Sequence, residues 1–266
     1  MTKSNFARRY GPWALVTGAA HGLGAAFCEA LVERGVGVLA LDRDAEGLSS
    51  RVEQLEGRGA LVESIVLDLR SEELGQKLES AVAGREVGLL VNNAGLTYAG
   101  PFLDKSPEQL RDLQRVNCDA TLIATHVLAR PMRARGRGGV IMVSSLSSRL
   151  GGPLVGHYAA TKAYGATLAE SLHEELRAVG VDVMAVLAPL IETPGLRSTR
   201  PATLTSQVLA PAEVAELALE GLGRRARVVP GRTGRLFVSL ERLAPRALLR
   251  RIVAANVWKM YPDRAP

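Results

Sequence analysis

The sequence predicts an α/β fold with a doubly wound parallel sheet, in a single domain with a helical C-terminal extension. Three observations carry this. Short apolar runs alternate with longer helical stretches along the first two thirds of the chain. The runs are apolar on both faces, as expected of strands buried between two layers of helices. The 266 residues, 47% hydrophobic and 23% charged, suffice for one large core. No linker, repeat or low-complexity tract divides them.

In chain order the strands are Ala14 to Thr17, Val36 to Leu41, Leu61 to Leu67, Leu89 to Asn92, Val140 to Ser144 and Val181 to Ala188. Helices are expected at 22–34, 44–56, 71–83, 107–130 and 156–179. Such alternation gives parallel neighbours joined by helical crossovers. From Pro189 the rhythm stops, and residues 189–210 read as a substrate loop. A helix near 211–223 opens with Pro211 and Glu213. Proline's missing N–H costs nothing in a first turn, and an acid there faces the positive helix end. A short strand near Val228 precedes a basic, leucine-rich tail over 236–260. Leu240, Leu243, Leu248, Leu249, Ile252, Val253 and Val257 include three- and four-residue spacings, with Pro245 breaking the early part. This face is expected to cover the substrate pocket or a neighbouring subunit. Peripheral contact with an anionic membrane is the second reading.

Composition bounds the function. The net charge is +6, but much of the excess falls in short late stretches such as Arg224-Arg225 and Arg246, Arg250, Arg251. No aromatic residues interleave with a basic stripe, so nucleic-acid binding is not expected. No apolar run reaches the roughly 20 residues of a membrane span, and residues 1–10 lack the apolar core of a secretory signal. The two cysteines, Cys28 and Cys118, and the four scattered histidines have no metal-like spacing. Neither a disulfide framework nor a metal site is expected, and the chain reads as cytoplasmic with reduced thiols.

The chemistry starts after the first strand, at Thr17-Gly18-Ala19-Ala20-His21-Gly22-Leu23-Gly24. Three glycines let the backbone turn tightly and approach a pyrophosphate, which the N-terminus of the next helix then attracts. Glycine-rich turns before helices are common, so position after the first strand carries the reading. The second strand ends in Asp42, whose carboxylate can accept hydrogen bonds from ribose hydroxyls and repel a 2′-phosphate. An ordinary strand-end turn, Asp42-Arg43-Asp44, is the competing reading. Arg43 could instead pair with a 2′-phosphate. NAD is expected, with NADP as the alternative.

Tyr158 and Lys162 stand four apart and share a helix face. A nearby ammonium and an oxidised nicotinamide ring favour the phenolate, which would make Tyr158 an acid in carbonyl reduction and a base in alcohol oxidation. Such a pair is frequent by chance, and context decides. Ser145 ends the fifth strand, where the carboxyl ends of a parallel sheet meet ligands. Asn92-Asn93-Ala94-Gly95 ends the fourth. Asn117 falls mid-helix, where asparagine is a poor helix former; a solvent-facing polar residue is the alternative.

Together Thr17-Gly18-x-x-x-Gly22-x-Gly24, Asn92-Asn93-Ala94-Gly95, Asn117, Ser145 and Tyr158-x-x-x-Lys162 resemble the motif set of the short-chain dehydrogenase/reductase family. The similarity runs, in order, from about residue 12 to 194. It implies a Rossmann-type fold and an Asn117–Ser145–Tyr158–Lys162 tetrad. In this implication Ser145 positions the carbonyl and Tyr158 transfers the proton. Lys162 binds the nicotinamide ribose and lowers the tyrosine pKa, and Asn117 holds a water in a proton relay. The cofactor is expected along Thr17, Gly18, His21, Gly22, Leu23, Gly24, Asp42, Arg43, Asn93, Ala94 and Gly95. Asp68, followed by Leu69, resembles the residue that contacts the adenine. One segment departs from the family. Pro189-Leu190-Ile191-Glu192-Thr193-Pro194 lacks the usual glycine and is one residue short; Pro189 and Thr193 are still assigned to the nicotinamide.

The expected activity is hydride transfer between a nicotinamide cofactor and a carbonyl or secondary alcohol. Leu96, Thr97, Leu146, His157, Leu190 and Leu196 suggest a lipophilic substrate. The alternative is a non-catalytic nucleotide-sensing or membrane-associated protein of the same fold, against which the complete tetrad argues. Small residues at Ala159, Ala163, Gly165, Ala166 and Ala169 would admit a partner helix, so a homo-oligomer is expected.

Overall fold

The computed structural model describes residues 2–192 and 208–264. Its centre is a seven-stranded sheet, every pairing parallel. The strands are β1 (Trp13–Thr17), β2 (Gly37–Asp42), β3 (Val62–Val66), β4 (Val87–Asn92), β5 (Gly138–Ser145), β6 (Val181–Ala188) and, after the short β7 (Leu190–Ile191) and β8 (Val208–Leu209), β9 (Arg227–Val228). Their spatial order is β3-β2-β1-β4-β5-β6-β9. The winding reverses between β1 and β4, which opens a crevice at the carboxyl ends of these strands.

Neighbouring residues of one strand feed opposite layers, as a two-residue side-chain period requires. Val16, Val91 and Val186 pack with Phe27 and Leu31 of α2 (Gly22–Val32) and Leu219 of α8 (Pro211–Gly221). Leu15, Leu90 and Leu187 pack on the other face, with Leu78 of α4 (Leu74–Ala81), Leu128 of α6 (Ala120–Arg135) and Ala166 of α7 (Gly156–Arg177). The remaining helices are α1 (Lys3–Tyr10), α3 (Ala45–Glu56), α5 (Pro107–Gln114), α9 (Arg232–Glu241) and α10 (Arg246–Met260).

Several elements differ from the sequence expectation. The edge strand β3 is not apolar on both faces: Ser64 and Val66 are exposed, because β3 has a strand neighbour on one side only. The helix expected over 107–130 is two helices joined by a π-helical turn, Arg115–Asp119, and the second runs on to Arg135. The tail is two helices, parted just before Pro245. The helix α1 has no counterpart in the sequence reading. It is held by Phe6 and Tyr10, buried one turn apart, and by Asp182, which accepts from Tyr10 Oη at 2.8 Å and pairs with Arg9 at 2.6 Å. Of the small residues of α7, Ala159, Ala166 and Ala169 are buried, the last two in the core against the sheet, whereas Ala163 is half-buried and the space beside Gly165 is open.

Candidate active site

The sequence Thr17 to Gly24 folds as a tight turn into α2. Gly18 and Gly22 hold φ of 68° and 55°, a region open to glycine and strained for other residues. A methyl at Gly24 would sit 1.9 Å from the Gly18 carbonyl oxygen. The helix thus starts directly on the turn, with a close approach that only glycine permits. His21 at the N-cap gives no capping hydrogen bond, and no acid occupies the first turn. The first N–H groups are therefore left to an anionic ligand, and the cradle fits a pyrophosphate.

The fourth strand's loop is stitched to this turn. Thr17 Oγ1 accepts from the N–H groups of Asn93 and Ala94, both at 3.0 Å. Asn93 Nδ2 donates back to the carbonyls of Thr17 at 2.9 Å and Gly18 at 3.2 Å. Asp42 at the end of β2 accepts from Ala20 N and Asp44 N, each at 3.1 Å. Its carboxylate is thereby fixed beside the turn. Arg43 is exposed, and His21 Nε2 pairs with Asp44 Oδ2 at 2.7 Å. Asp68 is half exposed and paired with Arg70 at 2.6 Å; the guanidinium holds its carboxyl below the usual carboxylate range. Leu69 packs against the core.

Ser145 is the last residue of β5, and Tyr158 and Lys162 lie in the first two turns of α7. The Ser145 side chain stands beside the Tyr158 hydroxyl and opposes the rise of its pKa. Ser145 Oγ accepts from Ser147 N at 3.2 Å and Ser147 Oγ at 3.0 Å. Lys162 is buried, donates from Nζ to the Val143 carbonyl at 2.9 Å and stands 5.9 Å from the Tyr158 ring centre. A methyl at Gly95 would lie 2.9 Å from Nζ, so this glycine leaves the ammonium its space. Ser144 donates to the Lys162 carbonyl at 2.7 Å and serves to dock α7, which separates its role from that of Ser145.

Burial pushes the Tyr158 phenol up, with Ser145 opposing, and pushes Lys162 down to about 8. Loss of solvation is the larger influence on the phenol.

Asn117 sits in the π-helical turn, not in a regular helix. Its side chain accepts from Leu96 N at 2.8 Å and donates to Leu96 O at 3.0 Å and Thr161 Oγ1 at 2.9 Å. It is buried, which removes the solvent-facing alternative. Its amide clamps the β4 loop to α7. Thr161 completes the clamp by donating to the Tyr158 carbonyl at 2.8 Å. The sequence reading missed Thr161, although its place between Tyr158 and Lys162 was a signal.

His157 does not serve the pocket through Nε2, which meets the Leu110 carbonyl at 3.0 Å and ties α7 to α5. Leu146 instead touches the tail, 3.1 Å from where a methyl on Gly234 would be. Leu154, in the same loop, holds a φ of 63°, and its carbonyl accepts from Gly100 N at 3.0 Å. After Pro189 the chain enters β7, which pairs in parallel with β8, so the expected substrate loop is closed at its base. Thr193 and Leu196 lie outside the described residues. Among the described residues no cluster of His, Cys, Asp or Glu could hold a metal ion.

A family model described as short chain dehydrogenase matches residues 12–203. A very-long-chain 3-oxoacyl-CoA reductase-like protein of Arabidopsis thaliana is 36% identical over 192 residues, 70% of this chain and 62% of its own length. The chain thus spans about three fifths of that relative. A solved 7β-hydroxysteroid dehydrogenase superposes with a TM-score of 0.86 at 27% identity, covering 93% of this chain and 98% of its own. A short-chain dehydrogenase from Sphingobium yanoikuyae in complex with NADPH gives 0.77 at 26% identity, covering 89% and 97%.

Proposed function

The chain belongs to the short-chain dehydrogenase/reductase family of NAD(P)-dependent oxidoreductases, and on that premise we propose that it interconverts a lipophilic ketone or 3-oxoacyl group and its secondary alcohol. The observation that carries this is the convergence of Ser145, Tyr158 and Lys162 below the glycine turn. The bound nicotinamide supplies or accepts the hydride. Thr17 to Gly24, Asn93, Ala94 and Gly95 would hold the cofactor, with Pro189 and Thr193 beside the ring. Asp68 and Leu69 would hold the adenine.

The protein's own part is proton handling. Ser145 Oγ, beside the Tyr158 hydroxyl, would hold the substrate oxygen next to that proton. Tyr158 donates it in the reductive direction and takes it in the oxidative one. Lys162, its pKa lowered by burial to about 8, would keep its charge beside ribose hydroxyls and a phenolate. Asn117 keeps the β4 loop and α7 in register. We assign NAD as the preferred cofactor on the fixed carboxylate of Asp42. NADPH in the Sphingobium relative makes the contrary preference a measurable outcome.

The substrate class is inferred from the relatives and from the apolar residues Leu96 and Leu190. The reductase of Arabidopsis is named for very-long-chain 3-oxoacyl-CoA and the closely superposing enzyme for a hydroxysteroid. A purified-enzyme screen of sterol ketones, bulky aryl ketones and long 3-oxoacyl thioesters, each with NADH and NADPH, tests the reading. Oxidation of the reduced cofactor by a bulky apolar ketone is the expected result. Turnover confined to short polar ketones contradicts the lipophilic assignment.

The homo-oligomer expected through the small residues of α7 is kept as part of the proposal; the open space at Gly165 and the exposed Leu122 on α6 and Tyr164 on α7, at 45% and 37%, support it. The two thiols, Cys28 and Cys118, are buried and unpaired, which supports a reducing, cytoplasmic compartment.

A further inference from the structure

The tail helices do two things at once. Their inner side packs on the loop that follows Ser145. Val253 and Val257 of α10 lie 3.2 Å from where a methyl on Gly152 would be, and Glu241 of α9 pairs with Arg149 at 2.9 Å. Their outer side is apolar and exposed. On α9, Leu236, Leu240 and, just past its end, Leu243 follow an i, i+4, i+7 spacing, with Leu236 60% and Leu243 86% exposed. On α10, Leu248 and Ile252 repeat the four-residue step and are also exposed. A soluble surface rarely spends five large aliphatic side chains so close together in sequence.

The charges around them have one sign. Residues 232–263 hold seven Lys or Arg against two acids, Glu241 and Asp263. Glu241 is buried and neutralised by Arg149 and Arg246. Arg232, Arg235, Arg242, Arg250 and Arg251 are exposed, and among the described residues none of them enters an ion pair.

We propose that this outer face docks on an anionic lipid surface, leucines in the interface and arginines on the headgroup phosphates. Charge complementarity selects this occupant. A second copy would bring its own arginines against these, whereas an anionic bilayer satisfies both the apolar stripe and its basic rim. The tail shares its inner face with the Ser145 loop, so docking sets the rim of the reaction site beside the lipid. The proposal goes beyond the assigned reaction and stands whatever the substrate.

Co-sedimentation of the full chain with vesicles tests it. Binding is expected to phosphatidylcholine vesicles containing about one third phosphatidylglycerol, weakly or not at all to pure phosphatidylcholine, with release by high salt. Leu240→Ser with Leu243→Ser, and separately Arg250→Gln with Arg251→Gln, should each lower binding at least tenfold. The melting curves should stay unchanged, because these side chains are exposed. Absence of binding to the anionic vesicles overturns the proposal, as does binding that survives both pairs of substitutions. Light scattering supplies a third contrary outcome: a dimer that the serine variant converts to monomer shows that the leucine face covers a second copy.

Discussion

Burial acts on both Tyr158 and Lys162. It disfavours both charged forms, so the phenol keeps its proton at neutral pH and the ammonium is lost from about pH 8 upward. Two pH predictions follow, with opposite signs. Carbonyl reduction needs the protonated phenol, so its kcat/KM should stay level through neutral pH and fall at alkaline pH, while alcohol oxidation rises over the same range. A pH-rate profile in both directions checks this. For stability, Lys162 titrates at about 8 in the fold, against roughly 10.4 in an unfolded chain. Between those values the unfolded chain binds more protons, so the lysine's effect on stability becomes more favourable as pH rises from about 8 to about 10. Denaturant titrations of wild type and Lys162→Met should diverge in that sense across this window. Parallel curves would show that the lysine is not desolvated. At the adenosine end, Asp42→Ala removes a fixed negative charge and frees Arg43, so the ratio of kcat/KM values should move from NADH towards NADPH. A wild type already tenfold better with NADPH contradicts the assignment.

At the scale of elements, the site is made by three loops at the carboxyl ends of β1, β4 and β5 and by the first turns of α7. Gly24 is where two of them meet. Gly24→Ala must displace the Gly18 carbonyl or the Asn93 amide, so cofactor binding by fluorescence or calorimetry should be lost while most of the sheet remains. Asn117→Ala would orphan the Leu96 N–H and C=O. An unsatisfied buried polar group costs about 1–3 kcal/mol, and urea unfolding should show a loss of at least that size, with turnover lowered further. These elements differ in how openly the sequence announces them. Central strands and the glycine turn are written in local composition, because burial on both faces and a tight backbone each select few residue types. The π-helical turn under Asn117 is not. It inserts into an otherwise regular helical pattern, and only the Leu96 and Thr161 partners, 21 residues before and 44 after in the chain, explain it. Functional sites often interrupt helices in this way. The helix α1 escaped notice because two buried aromatic side chains in eight residues make too short a period to read. His157, beside Tyr158, admitted both a pocket role and a structural one, and a backbone carbonyl on α5 claims its ring nitrogen.

For the molecule as a whole, the sheet fixes the site and the tail closes over its rim. Deleting the chain after Arg235 removes the Glu241–Arg149 pair and the valines that cover Gly152. It should lower Tm and raise the KM for a bulky ketone while leaving the KM for the cofactor nearly unchanged. Equal effects on both would mean that the tail supports the fold generally and has no special tie to the substrate side. The oxidoreductase reading itself rests on one hydroxyl, and single-turnover kinetics of Tyr158→Phe with a reducible ketone measure it most directly. The ring stays, so reduced cofactor should still bind with near wild-type affinity, while the hydride-transfer rate drops by roughly 10²–10⁴-fold. A folded Tyr158→Phe enzyme that binds the cofactor and reduces the ketone at the wild-type rate would contradict the assignment of Tyr158 as the proton donor.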